Sequence, residues 1–326
     1  MRQIDRIIEF NYRSPMVTDP SLRFKHVFIT GATGIVGISL CRKLLEMGIG
    51  VTAYSRSSGD FDLPSGVRHV RGDIQDPVVL AEAAQGADVI FHLAAAVHGS
   101  VSKYADFERV NVTGTGNVIR VARDIGAKLV HVSTVNVDGF RDGNLRNAYA
   151  ATKSRAEELI AEAVSKDGLD AVIVRPATVF GIETERAGLI VDRLLSGSLK
   201  ILPAPSRTIS PVWNDDLANA LINAAVLGIT GKVYTIAGPE ISTADFVSSI
   251  CESTGVSPPR FSIPTWVIVV PLQIAWWCKS LTRWTPTVSV EAVRNGSIHE
   301  GTQAANELAF SYTSISEIFR STSLRK

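Results

Sequence analysis

Three cysteines in 326 residues, Cys41, Cys251 and Cys278, are too few and too scattered for a disulfide framework. None stands in CxxC spacing, which argues against a zinc site and for reduced thiols in a cytosol-like compartment. An excess of one charge is missing as well. Lys and Arg number 33 against 32 Asp and Glu, so a net charge of +1 gives no reason to expect nucleic acid or acidic membrane as a partner. No run is long enough to cross a bilayer. The most apolar stretch, "IPTWVIVVPLQIAWWC" (263–278), has sixteen residues with Pro264 and Pro271 inside it. A buried or lid helix is the expectation, with Trp266, Trp276 and Trp277 in the core; weak peripheral association with a membrane surface is the other reading. The first 24 residues lack the apolar core of a signal peptide, and Asp5, Glu9 and Asp19 among their arginines do not suit a transit peptide. They read as an N-terminal extension of a cytoplasmic protein. Repeats of 20–50 residues and low-complexity tracts are absent too.

What is present is globular: 45% hydrophobic and 20% charged residues, enough for one large domain or two closely joined ones. Short apolar, β-branched runs alternate with helical patterns. Strands are expected at 26–30, 50–55, 67–73, 88–95, 128–134 and 170–176, with helices between them, including one over 104–124 and one opening near Tyr149. This alternation predicts an α/β fold, a Rossmann-type doubly wound parallel sheet covered on both faces. After residue 176 the rhythm breaks. The expected division is an extension at 1–24, a dinucleotide-binding domain at 25–180, and a smaller part at 181–326 that binds substrate and returns some elements to the sheet.

Two local patterns carry chemistry. "ITGATGIVG" sets Gly31, Gly34 and Gly37 between the first strand and a helix, where a tight turn, a close backbone approach and a positive helix end together suit a diphosphate. "NAYAATKSRAEELI" (147–160) puts Tyr149 one helical turn before Lys153, on the same face. An ammonium beside a phenol is expected to pull its pKa down from about 10 toward working pH.

With these in order stand "GDIQD" (72–76), "FHLAA" (91–95), "VNVTGTGNVI" (110–119), "HVSTVNVDG" (131–139) and "RPATVFG" (175–181). The set resembles the extended short-chain dehydrogenase/reductase superfamily, its NAD(P)-dependent epimerase/dehydratase group. The likeness is dense over 26–181; "WNDDLANAL" (213–221) and "ANELAFSYTSISEIF" (305–319) match only loosely. The resemblance implies an NAD(P)-dependent enzyme with Tyr149 as acid/base, Lys153 assisting it and binding the nicotinamide ribose, Thr134 holding the substrate oxygen beside Ser133, and Asn111 supporting the helix or a relay water. It further implies dinucleotide contacts from Thr33 and Ile35 in the glycine loop, Asp73 and Ile74 at the adenine, and Leu93, Ala94 and Ala95 toward the nicotinamide. No metal is implied. Ser55 and Arg56 stand where NAD-preferring relatives carry an acid, so the expected cofactor leans to NADP(H). By analogy, the helices around 104–124 and 148–166 would form a homodimer interface.

Departures narrow the function. Asp138 replaces a customary tyrosine, the 139–149 loop is short, and Arg207 sits slightly early for a diphosphate-binding arginine. Val135 and Asn136 follow Thr134 where dehydratases carry Asp-Glu, which disfavours dehydration. His98 reads as a loop residue. The expected function is an epimerase or 4-ketoreductase of a nucleotide-linked sugar; the alternatives are a reductase or dehydrogenase of an apolar ketone or alcohol and a non-catalytic dinucleotide sensor or scaffold.

Overall fold

The computed structural model describes residues 24–323 except 57–62, 98, 99, 102, 144, 146, 182–188, 268 and 271–298. His98, Trp276, Trp277 and Cys278, with the expectations attached to them, lie outside the described residues, as does the 1–23 stretch.

Seven parallel strands form the central sheet: β1 (His26–Thr30), β2 (Gly50–Ser55), β3 (Arg68–Arg71), β4 (Val89–His92), β5 (Lys128–Val132), β6 (Ala171–Pro176) and, from the C-terminal part, β11 (Val233–Ile236). Their spatial order is β11-β6-β5-β4-β1-β2-β3. Chain direction around the sheet reverses between β1 and β4, and a crevice opens at such a switch point beyond the carboxyl ends of the strands.

Strand periodicity explains the two covered faces. Val27 and Ile29 of β1 point into a core with Leu40 and Leu44 of α1 (Ile35–Glu46), and with Leu217 and Leu221 of the later helix over residues 214–227. Phe28 between them points the other way. There it meets Leu80 of α2 (Pro77–Ala83), Val118 and Ala122 of α4 (Thr115–Ile125), and Ile160 of α6 (Ala148–Asp167). The helix expected over 104–124 is α3 (Tyr104–Glu108), a π-helical turn (Arg109–Gly114) and α4 in succession. α6 begins where Asn147 Oδ1 accepts from Ala150 N at 2.7 Å, and ends at Gly168 with φ +68°. Tyr149 is thereby set in its first turn. The loop before it holds a helix that the sequence reading missed, α5 (Asn136–Arg141).

Among the described residues, three small strand pairs lie in the C-terminal part: β7 (Thr178–Phe180) with β10 (Pro211–Trp213), β8 (Ile201–Pro203) with β13 (Phe261–Ile263), and β9 (Thr208–Ile209) with β12 (Ile241–Ser242). Phe180 joins its core by an edge-on contact with Phe246 at 5.3 Å and a stack on Phe319 at 6.4 Å. The "WNDDLANAL" stretch docks this part on the sheet. It opens α8 (Asn214–Leu227), where Asn214 Nδ2 donates to Ser39 Oγ at 2.6 Å and Asp215 pairs with Arg42 at 2.8 Å. The buried carboxylate of Asp216 accepts from the N–H and hydroxyl of Thr313, both at 2.7 Å. Trp266 corrects an expectation: it is 67% exposed, on a helical turn that Pro264 directs outward from the end of β13.

Burial pushes Asp216 up to about 6 against the two bonds from Thr313. A folded-state pKa above the unfolded one contributes stability below the unfolded pKa and loses it as pH rises through about 6. Melting scans of wild type and Asp216→Asn across pH 4–7 are therefore expected to show wild type losing ground relative to the variant as pH rises.

Candidate active site

A cavity of about 330 Å³ occupies the switch-point crevice. Gly31, Thr33 and Gly34 form one side of it. Gly31 has φ +73°, and a Cβ there would lie 2.6 Å from Ala94 N, so only glycine lets the β1 turn pass the end of β4. Gly34 caps α1 with no side-chain hydrogen bond, leaving that helix end to a ligand. Leu93, Ala94 and Ala95 line the cavity beside that turn. Ile35 and Gly37 do not line the cavity. Gly37 is pressed onto the backbone of Ala32, where a Cβ would come within 2.6 Å, and the Ile35 side chain turns onto Gly181.

The cavity is also lined by Ser55, Arg56, Asp73 and Ile74, and by Tyr54, Gly72, Val97 and Val110, which sequence reasoning did not single out. Tyr54 donates to Asp73 O at 3.1 Å, and its ring occupies the space a Cβ at Gly72 would need. Ile74 is held by Asn117 Nδ2, which donates to its carbonyl at 3.0 Å, and by close approach to Gly114. The "VNVTGTGNVI" pattern is explained by these contacts. The Ser55 hydroxyl shares a hydrogen bond with His69 Nε2 at 2.8 Å, and Arg71 Nε donates to Arg56 O at 3.3 Å, which brings a second arginine to the Arg56 lip.

Thr134 and Tyr149 meet: their hydroxyls are hydrogen-bonded, while the Ser133 hydroxyl is buried with no partner among the described residues. Lys153, at 1% exposure, places Nζ 2.7 Å from Val132 O and 3.0 Å from His131 Nε2. One expectation is overturned. Burial pushes the Tyr149 phenol up to about 12, opposed by the Thr134 bond, and Lys153 is not what governs it. Burial instead brings the Lys153 ammonium down to about 7, opposed by Glu157 one turn further along α6. Desolvation outweighs the one-turn spacing on which the expectation rested.

Asn111 is fully engaged. Its Oδ1 accepts from Ala96 N at 2.7 Å, and its Nδ2 donates to Ala96 O and Thr152 Oγ1 at 3.1 and 3.0 Å. It therefore ties the end of the β4 loop to α6 from inside the π-helical turn.

The family model of the NAD-dependent epimerase/dehydratase family matches residues 27–237. The chain belongs to that family. The "2-alkyl-3-oxoalkanoate reductase" of Stenotrophomonas maltophilia is 30% identical over 251 residues, covering 70% of this chain and 76% of the relative. The "putative dihydroflavonol 4-reductase" of Synechocystis sp. is 29% identical over 322 residues, covering 89% and 91%. In fold the chain is similar to a UDP-glucose 4-epimerase from Thermotoga maritima solved with UDP-glucose, with TM-score 0.72, 20% identity, and 90% and 96% of the two chains covered. The crevice suits the family's dinucleotide: a glycine cradle that a Cβ would fill, an uncapped helix end and a small-residue wall all face one cavity.

Two departures from the family pattern have places in the structure. Asp138 pairs with Arg175 NH1 at 2.5 Å, and Arg175 also grips Glu157, its Nε lying 2.8 Å from Oε1. Asp138 is thus part of an ion network joining α5, β6 and α6. Arg207 is partly desolvated, and its Nε has no hydrogen-bond partner among the described residues.

A Cβ at position 114 would fall 2.5 Å from the Ile74 Cδ1 methyl, so Gly114→Ala displaces that side chain from the cavity wall. The expected result is a dinucleotide Kd weakened about fivefold, near 1 kcal/mol, in a protein that still melts cooperatively. Fluorescence titration with NADPH measures it.

Proposed function

We propose that the protein reduces the carbonyl group of a predominantly apolar substrate, using NADPH. The observation that carries this reading is the buried pairing of the Tyr149 and Thr134 hydroxyls: a phenol pushed up to about 12 by burial and hydrogen-bonded to Thr134 is suited to give its proton to an oxygen that becomes negative. When bound, the reduced nicotinamide supplies the hydride that goes to the carbonyl carbon. Thr134 orients the carbonyl oxygen, Tyr149 donates the proton that completes the alcohol, and solvent returns a proton to Tyr149. Lys153 offers an N–H to the nicotinamide ribose.

Substrate class follows from three further points. The relatives noted above include reductases of alkyl-chain and flavonoid-type ketones. Val135 and Asn136, after Thr134, cannot serve as the acid/base pair a dehydration needs. Phe261, Trp266 and Val267 offer exposed apolar surface in the C-terminal part. The NADPH preference rests on Ser55 and Arg56 in the cavity, with Arg71 bonded to the Arg56 backbone.

A second reading, an epimerase or 4-ketoreductase of a nucleotide-linked sugar, is favoured by Arg207, whose unpartnered Nε would suit a diphosphate. An epimerase of that kind would release NAD on denaturation and need no added cofactor.

Purified protein is expected to oxidise NADPH with 2-alkyl-3-oxo acids or flavanone-type ketones and not with UDP-4-keto sugars. Turnover confined to the sugars would sink the apolar assignment. Tyr149→Phe is expected to lower kcat by about 10²–10⁴ while the NADPH Kd stays within about twofold. Ser55→Asp should shift the ratio of kcat/KM values toward NADH; an unchanged ratio would remove Arg56 from cofactor selection.

A further inference from the structure

β4 and β5 each carry a histidine near the carboxyl end of an otherwise apolar strand, and the parallel register sets His92 directly beside His131. Both are fully buried, with ring centroids 5.1 Å apart. His92 has both nitrogens engaged. Thr115 Oγ1 gives its proton to Asn111 O at 2.7 Å, so it accepts from His92 Nε2–H at 3.0 Å, and His92 Nδ1 accepts from the Thr30 hydroxyl at 2.7 Å. His131 differs. Its Nε2 faces Lys153 Nζ at 3.0 Å, and its Nδ1 is buried with no partner among the described residues.

An orphaned ring nitrogen in the interior is a cost that folding alone does not explain, since an apolar side chain at 131 would avoid it. The arrangement makes sense from the lysine side. An ammonium has three N–H groups. Val132 O takes one at 2.7 Å and His131 Nε2 a second, which leaves one.

We propose that His131 is a positioning residue for Lys153: together with the Val132 carbonyl it fixes two of the three ammonium N–H groups and so aims the third at the ribose of the bound dinucleotide. The aim at the ribose rests on the function proposed above; the hold on Nζ does not. The titratable groups that interact with Lys153 are His131 from β5, His92 from β4 and Glu157 from its own helix, with Tyr149 one turn before it in that helix and Arg175 of β6 holding Glu157. Burial and the nearby ammonium keep His131 well below its usual range, so it stays neutral and its Nε2 remains an acceptor. A neutral acceptor favours the charged form of its donor. Without it, Lys153 gives up its proton at lower pH.

The test uses the full-length protein with lysine labelled at 13Cε, Lys153→Met serving only to assign the signal. In wild type the Lys153 signal is expected to titrate near pH 7. In His131→Phe the midpoint is expected to fall by at least about half a pH unit and the NADPH Kd to weaken about fivefold. His131→Gln, whose amide oxygen can accept, is expected to restore both. Either change without the other, or neither, in a folded His131→Phe protein overturns the proposal. If that variant does not fold, 15N-histidine spectra of wild type decide: an His131 Nε2 signal that moves at the Lys153 midpoint upholds the contact, and one that does not move overturns it. Absence of turnover on every ketone would instead count against carbonyl reduction and leave the His131 titration result standing.

Discussion

Burial of the Lys153 ammonium is the constraint around which the site is organised. A lysine head group removed from water must be paid for by acceptors and nearby negative charge. β5 has to stop at Val132 so that its carbonyl is presented, and α6 has to start at Ala148 so that Lys153 arrives one turn after Tyr149. Glu157 lies one further turn along and supplies the carboxylate that opposes the loss of the proton. That carboxylate is itself 2% exposed and is held by Arg175, which also reaches Asp138. Helices α5 and α6 and strands β5 and β6 are thereby tied together through two cations, Lys153 and Arg175.

The dinucleotide crevice depends on a different constraint, the closeness of backbone segments. Gly31 lets the β1 turn lie against Ala94, Gly37 lets α1 lie on Ala32, and Gly114 makes room for Ile74. The first two bring the helix end to the cavity; the third sets a wall of it. Thr30 links the two halves of the site, since its hydroxyl touches both Ala94 N and the His92 ring beside His131.

Much of this was legible in the sequence because strand periodicity and glycine spacing report local geometry directly. The six strands read between residues 26 and 176 are found within a few residues of their expected ends, all parallel. The residues grouped by motif, from Gly31 to Ala95, converge on one cavity apart from Ile35 and Gly37. What escaped depends on long-range contact. His92 and His131 stood within quoted strands, "DVIFHLAA" and "KLVHVST", each a polar residue in an apolar run, yet only strand register shows that they are neighbours. The signal was there: a titratable residue buried in the middle of a sheet needs partners. Asp138 was legible only as a departure from a customary tyrosine, because its partner Arg175 is 37 positions away. Trp266 was misplaced because an aromatic residue in an apolar run reads as core, whereas a proline at a strand end can turn it outward.

The largest correction concerns which group the Tyr–Lys spacing acts on, and it bears on the direction of the chemistry. One-turn proximity was expected to make the phenol easy to ionise. Desolvation dominates both groups and moves them oppositely, because it disfavours whichever form is charged: the phenol rises to about 12 and the ammonium falls to about 7. At neutral pH the side chain hydrogen-bonded to Thr134 is therefore a proton donor, and the cation behind it is close to the pH at which it loses its charge. A donor poised in that way favours an oxygen that is gaining negative charge over an alcohol that must lose its proton. Burial thus gives Tyr149 the protonation state that the carbonyl reduction proposed above requires.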